Sequence, residues 1–183
     1  MRLPLEVWAM NLAKVTAKRS TCCRRSVGCV LVNKRGHILS TGVNGVASGL
    51  PHCNEPTGFN FVYGNGIDPS KPTTGQSTGK VLIYGNACPG SKSPSGTNLD
   101  GCYAIHAEQN ALLQCSNVYE VHTCYVTTSP CITCTKLLMN TGCKEIIYLD
   151  EYSQSQSQSK DLWVSAGREW RHYIPGELDV GIL

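Results

Sequence analysis

The sequence of 183 residues has no long run of one charge and no long run of apolar residues. No run of Lys or Arg is longer than a pair, as in Arg24-Arg25, and a net charge of +3 gives no extended footprint for a phosphate backbone. Aromatic residues make up only 7%, so stacking platforms for single-stranded nucleic acid are not indicated. No apolar stretch approaches the ~20 residues that span a bilayer, and residues 1–19 lack the apolar core of a signal peptide. We therefore expect a soluble, cytoplasmic protein without a membrane or nucleic-acid partner.

Cysteine, by contrast, is abundant. An odd number, eleven, and the lack of a secretory signal argue against a disulfide framework and favour metal binding. Four of them lie in apolar surroundings and are expected to be small core residues: Cys29, Cys115, Cys124 and Cys143. The other seven remain for chemistry: Cys22, Cys23, Cys53, Cys88, Cys102, Cys131 and Cys134.

Periodicity predicts alternating helices and strands in a single α/β domain over residues 1–183. Helices are predicted at 4–19, 105–115, 131–141 and near 160–167, and strands at 27–33, 37–43, 122–127, 145–149 and near 170–174. A hairpin turn at Lys34-Arg35-Gly36 joins the first two strands. Residues 45–101 form an insertion rich in Gly, Pro and Ser, and a C-terminal extension follows residue 153, beginning with a solvated low-complexity segment at 153–159.

Two short motifs, His106-Ala107-Glu108 and Pro130-Cys131-Ile132-Thr133-Cys134, indicate a catalytic zinc site. One imidazole and two thiolates supply three ligands where a structural site takes four, so a position is left for water. Zinc lowers the pKa of bound water to roughly 7, and the Glu108 carboxylate can move the protons of that water. The cysteine pair lies in the first turn of a predicted helix, whose N-terminus favours thiolates. HxE followed by PCxxC is the signature of zinc-dependent nucleobase deaminases.

Longer segments carry a more specific resemblance. HAEQNALL, TSPCITC, GCKEIIYLDEY and CCRRSVGCVLVNKRGHILSTGVNG resemble the deoxycytidylate deaminase branch of the cytidine deaminase superfamily, over most of residues 5–152. The resemblance implies a three-layer α/β fold, with a central mixed five-stranded sheet flanked by helices. It also implies hydrolytic deamination of dCMP to dUMP and ammonia, which supplies dUMP for dTMP synthesis.

The same resemblance assigns roles to individual residues of the site. His106, Cys131 and Cys134 would bind zinc, and Glu108 would pass a proton from water to N3 of the base and then to the leaving amine. Substrate contacts are implied for Asn44 at the sugar, Ser129 and Ala107 at the base, and Tyr152 at the pocket mouth. Asn44 could instead be a turn residue beside Gly45, and Tyr152 could be core packing.

A nucleotide substrate also needs a phosphate site. Arg24, Arg25 and Ser26 lie next to the segment that resembles the pocket lining, and arginine suits bidentate contact with phosphate. A solvated basic pair is the alternative interpretation.

The remaining cysteines predict a second, structural zinc that orders the insertion. Some members of the family carry such a site, and Cys22 and Cys53 align with two of its ligands. Cys88 and Cys102 would complete a closed set of four soft ligands. His52 and Cys23 are the substitutes.

The resemblance further implies a homo-oligomer, with a hexamer favoured, that is activated by dCTP and inhibited by dTTP, with Mg²⁺ accompanying the bound triphosphate. The effector pocket would include Gly42, Val43, Asn44 and Gly45, where Val43 replaces the family's tyrosine and removes an aromatic face. Two other functions stay open: a deaminase of dCTP, free cytidine or deoxycytidine, or a nucleic-acid base, and a non-enzymatic zinc module.

Overall fold

The computed structural model describes residues 2–50, 52–54, 61–62, 82–83, 88–94, 97–98, 101–152 and 156–176. Its helices are α1 (Leu5–Ala17), α2 (Ala107–Gln114), α3 (Ile132–Met139) and α4 (Gln156–Ser165). Its strands are β1 (Gly28–Asn33), β2 (Ile38–Val43), β3 (Gly45–Val46), β4 (Phe61–Val62), β5 (Leu82–Ile83), β6 (Ala104–Ile105), β7 (Val121–Thr128), β8 (Glu145–Asp150) and β9 (Glu169–His172). Short 3₁₀ helices cover Pro89–Lys92 and Val118–Glu120.

Five strands form a mixed central sheet in the order β2-β1-β7-β8-β9. The pairs β1/β2 and β1/β7 are antiparallel, whereas β7/β8 and β8/β9 are parallel. Helix α3 connects β7 to β8, and α4 connects β8 to β9, as parallel neighbours require a crossover. Two further pairs, β3/β6 and β4/β5, are short antiparallel ladders outside this sheet.

Helices cover both faces of the sheet, which explains why β1 reads as a continuous apolar run. Val30 and Val32 face α1, together with Ala9, Met10 and Ala13. Cys29 and Leu31 face the opposite side, where the cluster holds Ala107 and Ala111 of α2, Leu138 of α3 and Trp163 of α4. The predicted three-layer α/β architecture is therefore confirmed.

Glycines allow two helices to approach the sheet closely. A Cβ atom on Gly42 would lie 2.1 Å from the Ala107 carbonyl oxygen and 2.3 Å from the Ala111 amide nitrogen. On the other face, a Cβ atom on Gly28 would lie 2.1 Å from the Ala13 carbonyl oxygen. Strand β2 thus fixes the position of α2, which begins at the metal motif.

The predicted elements are all present, with two corrections at their boundaries. Residues 104–105 form β6, so the helix that was predicted over 105–115 begins at Ala107. The segment 153–159 is not wholly a solvated connection, because α4 starts at Gln156 and Ser159 is buried. Its partner one turn later, Trp163, is also fully buried and donates from Nε1 to the Glu169 carbonyl at 2.8 Å. Serine and glutamine gave no apolar period from which this helix could be recognised.

Most of the predicted insertion, 45–101, lies outside the described residues, as do 153–155. The described parts of the insertion include β3, β4, β5 and the 3₁₀ helix at Pro89–Lys92. The described residues include no helix whose length and apolar character would let it span a bilayer.

Candidate active site

Three predicted ligand residues converge where α2 and α3 begin. His106 Nδ1 lies 3.5 Å from Cys131 Sγ and 3.4 Å from Cys134 Sγ. Tetrahedral zinc with usual Zn–S and Zn–N lengths holds such atoms roughly 3.6 Å apart. In the described part of the chain, this is the one group in which three ligand atoms all lie within 4.8 Å of one another. The donor set and its spacing therefore fit a zinc ion.

Helix ends position these ligands. His106 and Cys131 are the N-cap residues of α2 and α3, and Cys134 lies buried in the first turn of α3. The Gln109 side chain accepts a hydrogen bond from the His106 backbone N–H at 2.9 Å, which closes the start of α2. Asn110 donates from Nδ2 to the Val43 carbonyl at 2.7 Å, which ties α2 to the end of β2.

Hydrogen bonds among the three predicted ligands shift their pKa values in different directions. A hydrogen bond with the Cys134 thiol, reinforced by one with His106, lowers the pKa of Cys131 to about 4. The pKa of Cys134 is raised well above its usual value by the same hydrogen bond and by burial. The hydrogen bond with Cys131 raises the pKa of His106. A thiolate is thus stabilised at Cys131 by donors that a soft cation can replace.

Glu108 is a carboxylate buried beside this cluster and not part of it. It is only 4% exposed and lines the same cleft as His106 and Cys131. Burial raises the pKa of its carboxyl group to about 6, while the charge of His106 opposes the shift. A carboxyl group with such a pKa can both accept and release a proton near neutral pH.

An open cleft leads to the cluster. Six of the seven predicted substrate residues line it: Arg24, Arg25, Asn44, Ala107, Ser129 and Tyr152. Ser26 is exposed and is not among the lining residues. Sequence reasoning missed Val27, Ala104 and Thr128, which complete the wall and carry no motif that would single them out.

Asn44 is buried and nearly saturated with hydrogen bonds. Its Oδ1 accepts from the Val27 N–H at 2.8 Å and from Ser20 Oγ at 2.7 Å. Its Nδ2 donates to the Arg25 carbonyl at 2.7 Å. Among the described residues Nδ2 makes no second hydrogen bond, so one amide hydrogen of Asn44 is left for a ligand in the cleft that this residue lines.

The C-terminal ends of β7 and β8 hold the opposite wall. The Ser129 N–H donates to the Asp150 carbonyl at 2.8 Å, and Ser129 Oγ accepts from the Tyr152 N–H at 2.8 Å. The Tyr152 ring lies 5.7 Å from the guanidinium carbon of Arg25, within reach of a cation–π contact across the cleft.

The cysteines predicted to bind a second metal form a chain of contacts. The Cys88 side chain interacts with those of Cys53 and Cys102, and Cys22 interacts electrostatically with Cys53 and Cys102. All four cysteines are described, and no three of their sulfur atoms lie within 4.8 Å of one another, so the structure does not gather them into one ligand cluster. Burial raises the pKa of Cys53 to about 11. Burial opposes ionisation at Cys88 as well, but hydrogen bonds from the Tyr103 backbone and the neighbouring thiols lower its pKa. Cys22 and Cys102 also line the cleft.

The two substitute ligands have other contacts. His52 Nδ1 lies 3.1 Å from Thr21 Oγ1, and His52 is exposed. Cys23 is exposed as well, and its thiol donates to the Cys53 carbonyl at 3.0 Å.

The family model and several relatives that match this chain belong to the cytidine and deoxycytidylate deaminases. Residues 5–150 match the model of the cytidine and deoxycytidylate deaminase zinc-binding region. The chain is 34% identical over 170 residues to a deoxycytidylate deaminase of Schizosaccharomyces pombe, covering 92% of this chain and 44% of that protein. It is 29% identical over 164 residues to one of Saccharomyces cerevisiae, covering 88% of this chain and 43% of the relative. The chain thus spans less than half the length of these two yeast relatives.

Shorter relatives are matched over most of their length. A deoxycytidylate deaminase of Enterobacteria phage T2 is 30% identical over 174 residues, with 87% of each chain covered. Among solved structures, the dCMP deaminase of cyanophage S-TIM5 in complex with dCMP and dUMP superposes with a TM-score of 0.61. That match covers 94% of this chain and 99% of the other at 24% identity, which supports the fold.

Proposed function

The chain belongs to the cytidine and deoxycytidylate deaminase family, and from this premise we propose that it catalyses the hydrolytic deamination of dCMP to dUMP and ammonia. The observation that carries the proposal is the buried Glu108 carboxylate, which lines one cleft with His106 and Cys131 of the open set of three metal ligands. Named deoxycytidylate deaminases among the relatives support the choice of substrate.

His106, Cys131 and Cys134 would hold the catalytic zinc, since their donor atoms and the distances between them fit that ion. When bound there, zinc would make a water molecule acidic enough to act near neutral pH. Glu108 would accept a proton from the attacking water and deliver it to N3 of the cytosine ring. It would then take the remaining proton from the hydroxyl group on C4 and pass it to the amine, which leaves as ammonia while the C4 carbonyl forms. One carboxyl group can act first as base and then as acid because burial raises its pKa and so makes the protonated form accessible.

The remaining cleft residues would bind and orient the nucleotide. We assign the sugar to the remaining Asn44 amide hydrogen, the base to the backbone around Ala107 and Ser129, and the pocket mouth to Tyr152. An arginine side chain on the cleft wall, from the pair Arg24-Arg25, favours a phosphorylated substrate over a neutral nucleoside.

The test is ammonia release by the purified protein from dCMP, dCTP, deoxycytidine, cytidine and a cytosine-containing oligonucleotide. We expect dCMP to have the highest kcat/KM of the panel. An inert dCMP together with turnover of another substrate would overturn the substrate assignment but keep the chemistry. If no substrate reacts while zinc is bound, a non-enzymatic zinc module becomes the better account.

We also propose a second, structural zinc held by Cys22, Cys53, Cys88 and Cys102. The interactions of Cys88 with Cys53 and Cys102 support it, and the bound ion would have to draw these sulfur atoms and that of Cys22 together into a closed tetrahedral set. Native mass spectrometry should find two zinc ions per chain. Cys22→Ser should reduce that number to one, whereas Cys23→Ser, a change at the adjacent exposed thiol, should leave two. One zinc ion in the unaltered chain would eliminate the second site. Loss of the second zinc ion in Cys23→Ser but not in Cys22→Ser would show that Cys23, and not Cys22, is the ligand.

Regulation is the third part of the proposal. We propose a cytoplasmic homo-oligomer, with a hexamer favoured, that supplies dUMP for dTMP synthesis under activation by dCTP with Mg²⁺ and inhibition by dTTP. Gly42, Val43, Asn44 and Gly45 would form part of the effector site. The contact from Asn110 of α2 to the Val43 carbonyl supports it, because it joins that segment to the helix bearing Glu108. Assays of dCMP turnover with and without each triphosphate test the regulation, and light scattering of the same samples tests the oligomeric state.

A further inference from the structure

Arg24 is held by the insertion. Its Nη1 donates to the Gly90 carbonyl at 2.8 Å and to the Thr97 carbonyl at 3.3 Å. Both hydrogens of this nitrogen are therefore used, and the side chain is half-buried. These contacts connect the loop before β1 to residues that lie far along the sequence.

The segment that Arg24 holds is itself packed on the wall of the cleft. The Gly90 N–H donates to the Gly101 carbonyl at 2.6 Å, and a Cβ atom on Gly90 would lie 2.9 Å from the Cys102 amide nitrogen. Cys102 lines the cleft, and the Arg24 charge interacts with both Cys102 and His106. Arg24 therefore stands where three stretches of chain meet beside the catalytic cluster.

Arg25, the neighbour of Arg24, does not make these hydrogen bonds to the insertion. Among the described residues, its guanidinium makes no hydrogen bond and no ion pair. It lies instead over the Tyr152 ring at 5.7 Å and lines the cleft. Stacking on an aromatic face leaves the guanidinium edge available for a bidentate contact with an anion.

We propose that the two adjacent arginines have different tasks: Arg24 is a positioning residue that fastens the insertion to the cleft wall, and Arg25 is the residue that recognises the 5′-phosphate. The proposal rests on dCMP deamination as the function. It predicts that Arg25 determines the preference for nucleotide over nucleoside, whereas Arg24 affects both substrates alike through the wall that they share.

The experiment compares Arg24→Gln, Arg25→Gln and the matched control Arg35→Gln with the unaltered chain. Arg35 is exposed in the turn at the far end of β1. The measurements are kcat and KM for dCMP and for deoxycytidine, and hydrogen exchange at the backbone amides of residues 88–94 and 101–102.

Arg25→Gln should lower the preference for dCMP over deoxycytidine, as a ratio of kcat/KM values, by about 10- to 100-fold, which is the effect of one charged hydrogen-bonding group. Arg24→Gln should reduce kcat/KM for both substrates by a similar factor and speed exchange at the Gly90 and Ser91 amides. Arg35→Gln should change neither the kcat/KM values for the two substrates nor the exchange at the Gly90 and Ser91 amides. Arg24→Lys, which keeps the charge but lacks the planar fork, serves if Arg24→Gln does not fold, and faster exchange with a preserved preference is expected there too.

Two results would overturn the proposal. One is that Arg24→Gln loses the preference for dCMP over deoxycytidine while hydrogen exchange at the Gly90 and Ser91 amides is unchanged. The other is that Arg25→Gln keeps the preference for dCMP over deoxycytidine. If the unaltered chain does not favour dCMP over deoxycytidine, the assignment of Arg25 fails together with dCMP as the substrate. If it deaminates neither, the proposed function fails by itself, and hydrogen exchange in Arg24→Gln still decides whether Arg24 fastens the insertion.

Discussion

At the scale of single residues, Glu108 provides the sharpest test of the chemistry. Glu108→Gln should reduce dCMP turnover by at least about 100-fold, because general acid–base catalysis contributes that much or more. Zinc content should be unchanged, since Glu108 lies outside the ligand cluster. Ammonia release and zinc analysis on the same preparation measure both. Glu120→Gln, at an exposed carboxylate, is the control, and zinc loss in Glu108→Gln would show that Glu108 is a ligand.

Asn44 should matter for stability as well as for binding. Asn44→Ala removes one donor and one doubly used acceptor that hold Ser20, Arg25 and Val27. We expect a loss of about 2–3 kcal/mol in the free energy of unfolding, because buried partners are left unpaired. Denaturant unfolding measures it against Asn140→Ala at an exposed position, which should change stability by less than about 0.5 kcal/mol. Equal stabilities of the two variants would contradict this account of Asn44.

The catalytic residues could be predicted because their chemistry is local. Cys131 and Cys134 stand three residues apart, and His106 stands two residues before Glu108, spacings that few sites other than metal sites use. The structure brings His106 and the two cysteines together. The hydrogen bonds of Gln109 and Asn110 could not be predicted, since each depends on which backbone group α2 meets in the fold. The same holds for Arg24, whose partners at Gly90 and Thr97 lie far along the chain.

At the scale of elements, a side chain added at the contact between β2 and α2 should destabilise the protein. Gly42→Ala places a methyl group 2.1 Å from the Ala107 carbonyl oxygen, so α2 must shift or the strand must bend. We expect a loss of about 1–3 kcal/mol in stability, as for other overpacked sites, together with a lower kcat because α2 carries Glu108. Thermal unfolding and dCMP assays measure these effects. Gly176→Ala is the control, because in the described part of the chain no atom lies within 4 Å of a Cβ added there, and a fully active, stable Gly42→Ala would refute the argument.

Helices and strands with a clear apolar period were predictable to within a few residues. Helix α1 was expected over 4–19 and is observed at Leu5–Ala17, and β8 was expected over 145–149 and is observed at Glu145–Asp150. The start of α4 was wrong because serine and glutamine conceal its buried positions. Strand β6 was missed because its two residues are defined only by pairing with β3.

At the scale of the whole molecule, metal removal should weaken the fold as well as stop the chemistry. An ion that binds only the folded chain stabilises it by about 4 kcal/mol at 1,000 times its dissociation constant. For a chain of this size, a zinc chelator should then lower Tm by roughly 10 °C. Differential scanning fluorimetry before and after chelation measures the shift. Added Zn²⁺ should reverse it and added Mg²⁺ should not, and an unchanged Tm in zinc-depleted protein would contradict the expectation.

The pairing of β3 with β6 has a consequence for how this architecture tolerates change. Gly45 pairs with Ile105 and Val46 with Ala104, so the chain leaves the catalytic domain and returns to it at adjacent points. A loop whose ends are clamped side by side can gain or lose residues at small entropic cost, about 0.6 kcal/mol for each doubling of length. We therefore expect the stretch between Cys53 and Cys88 to accept shortening, a grafted foreign peptide or an attached label without displacing the helix starts that carry the catalytic residues.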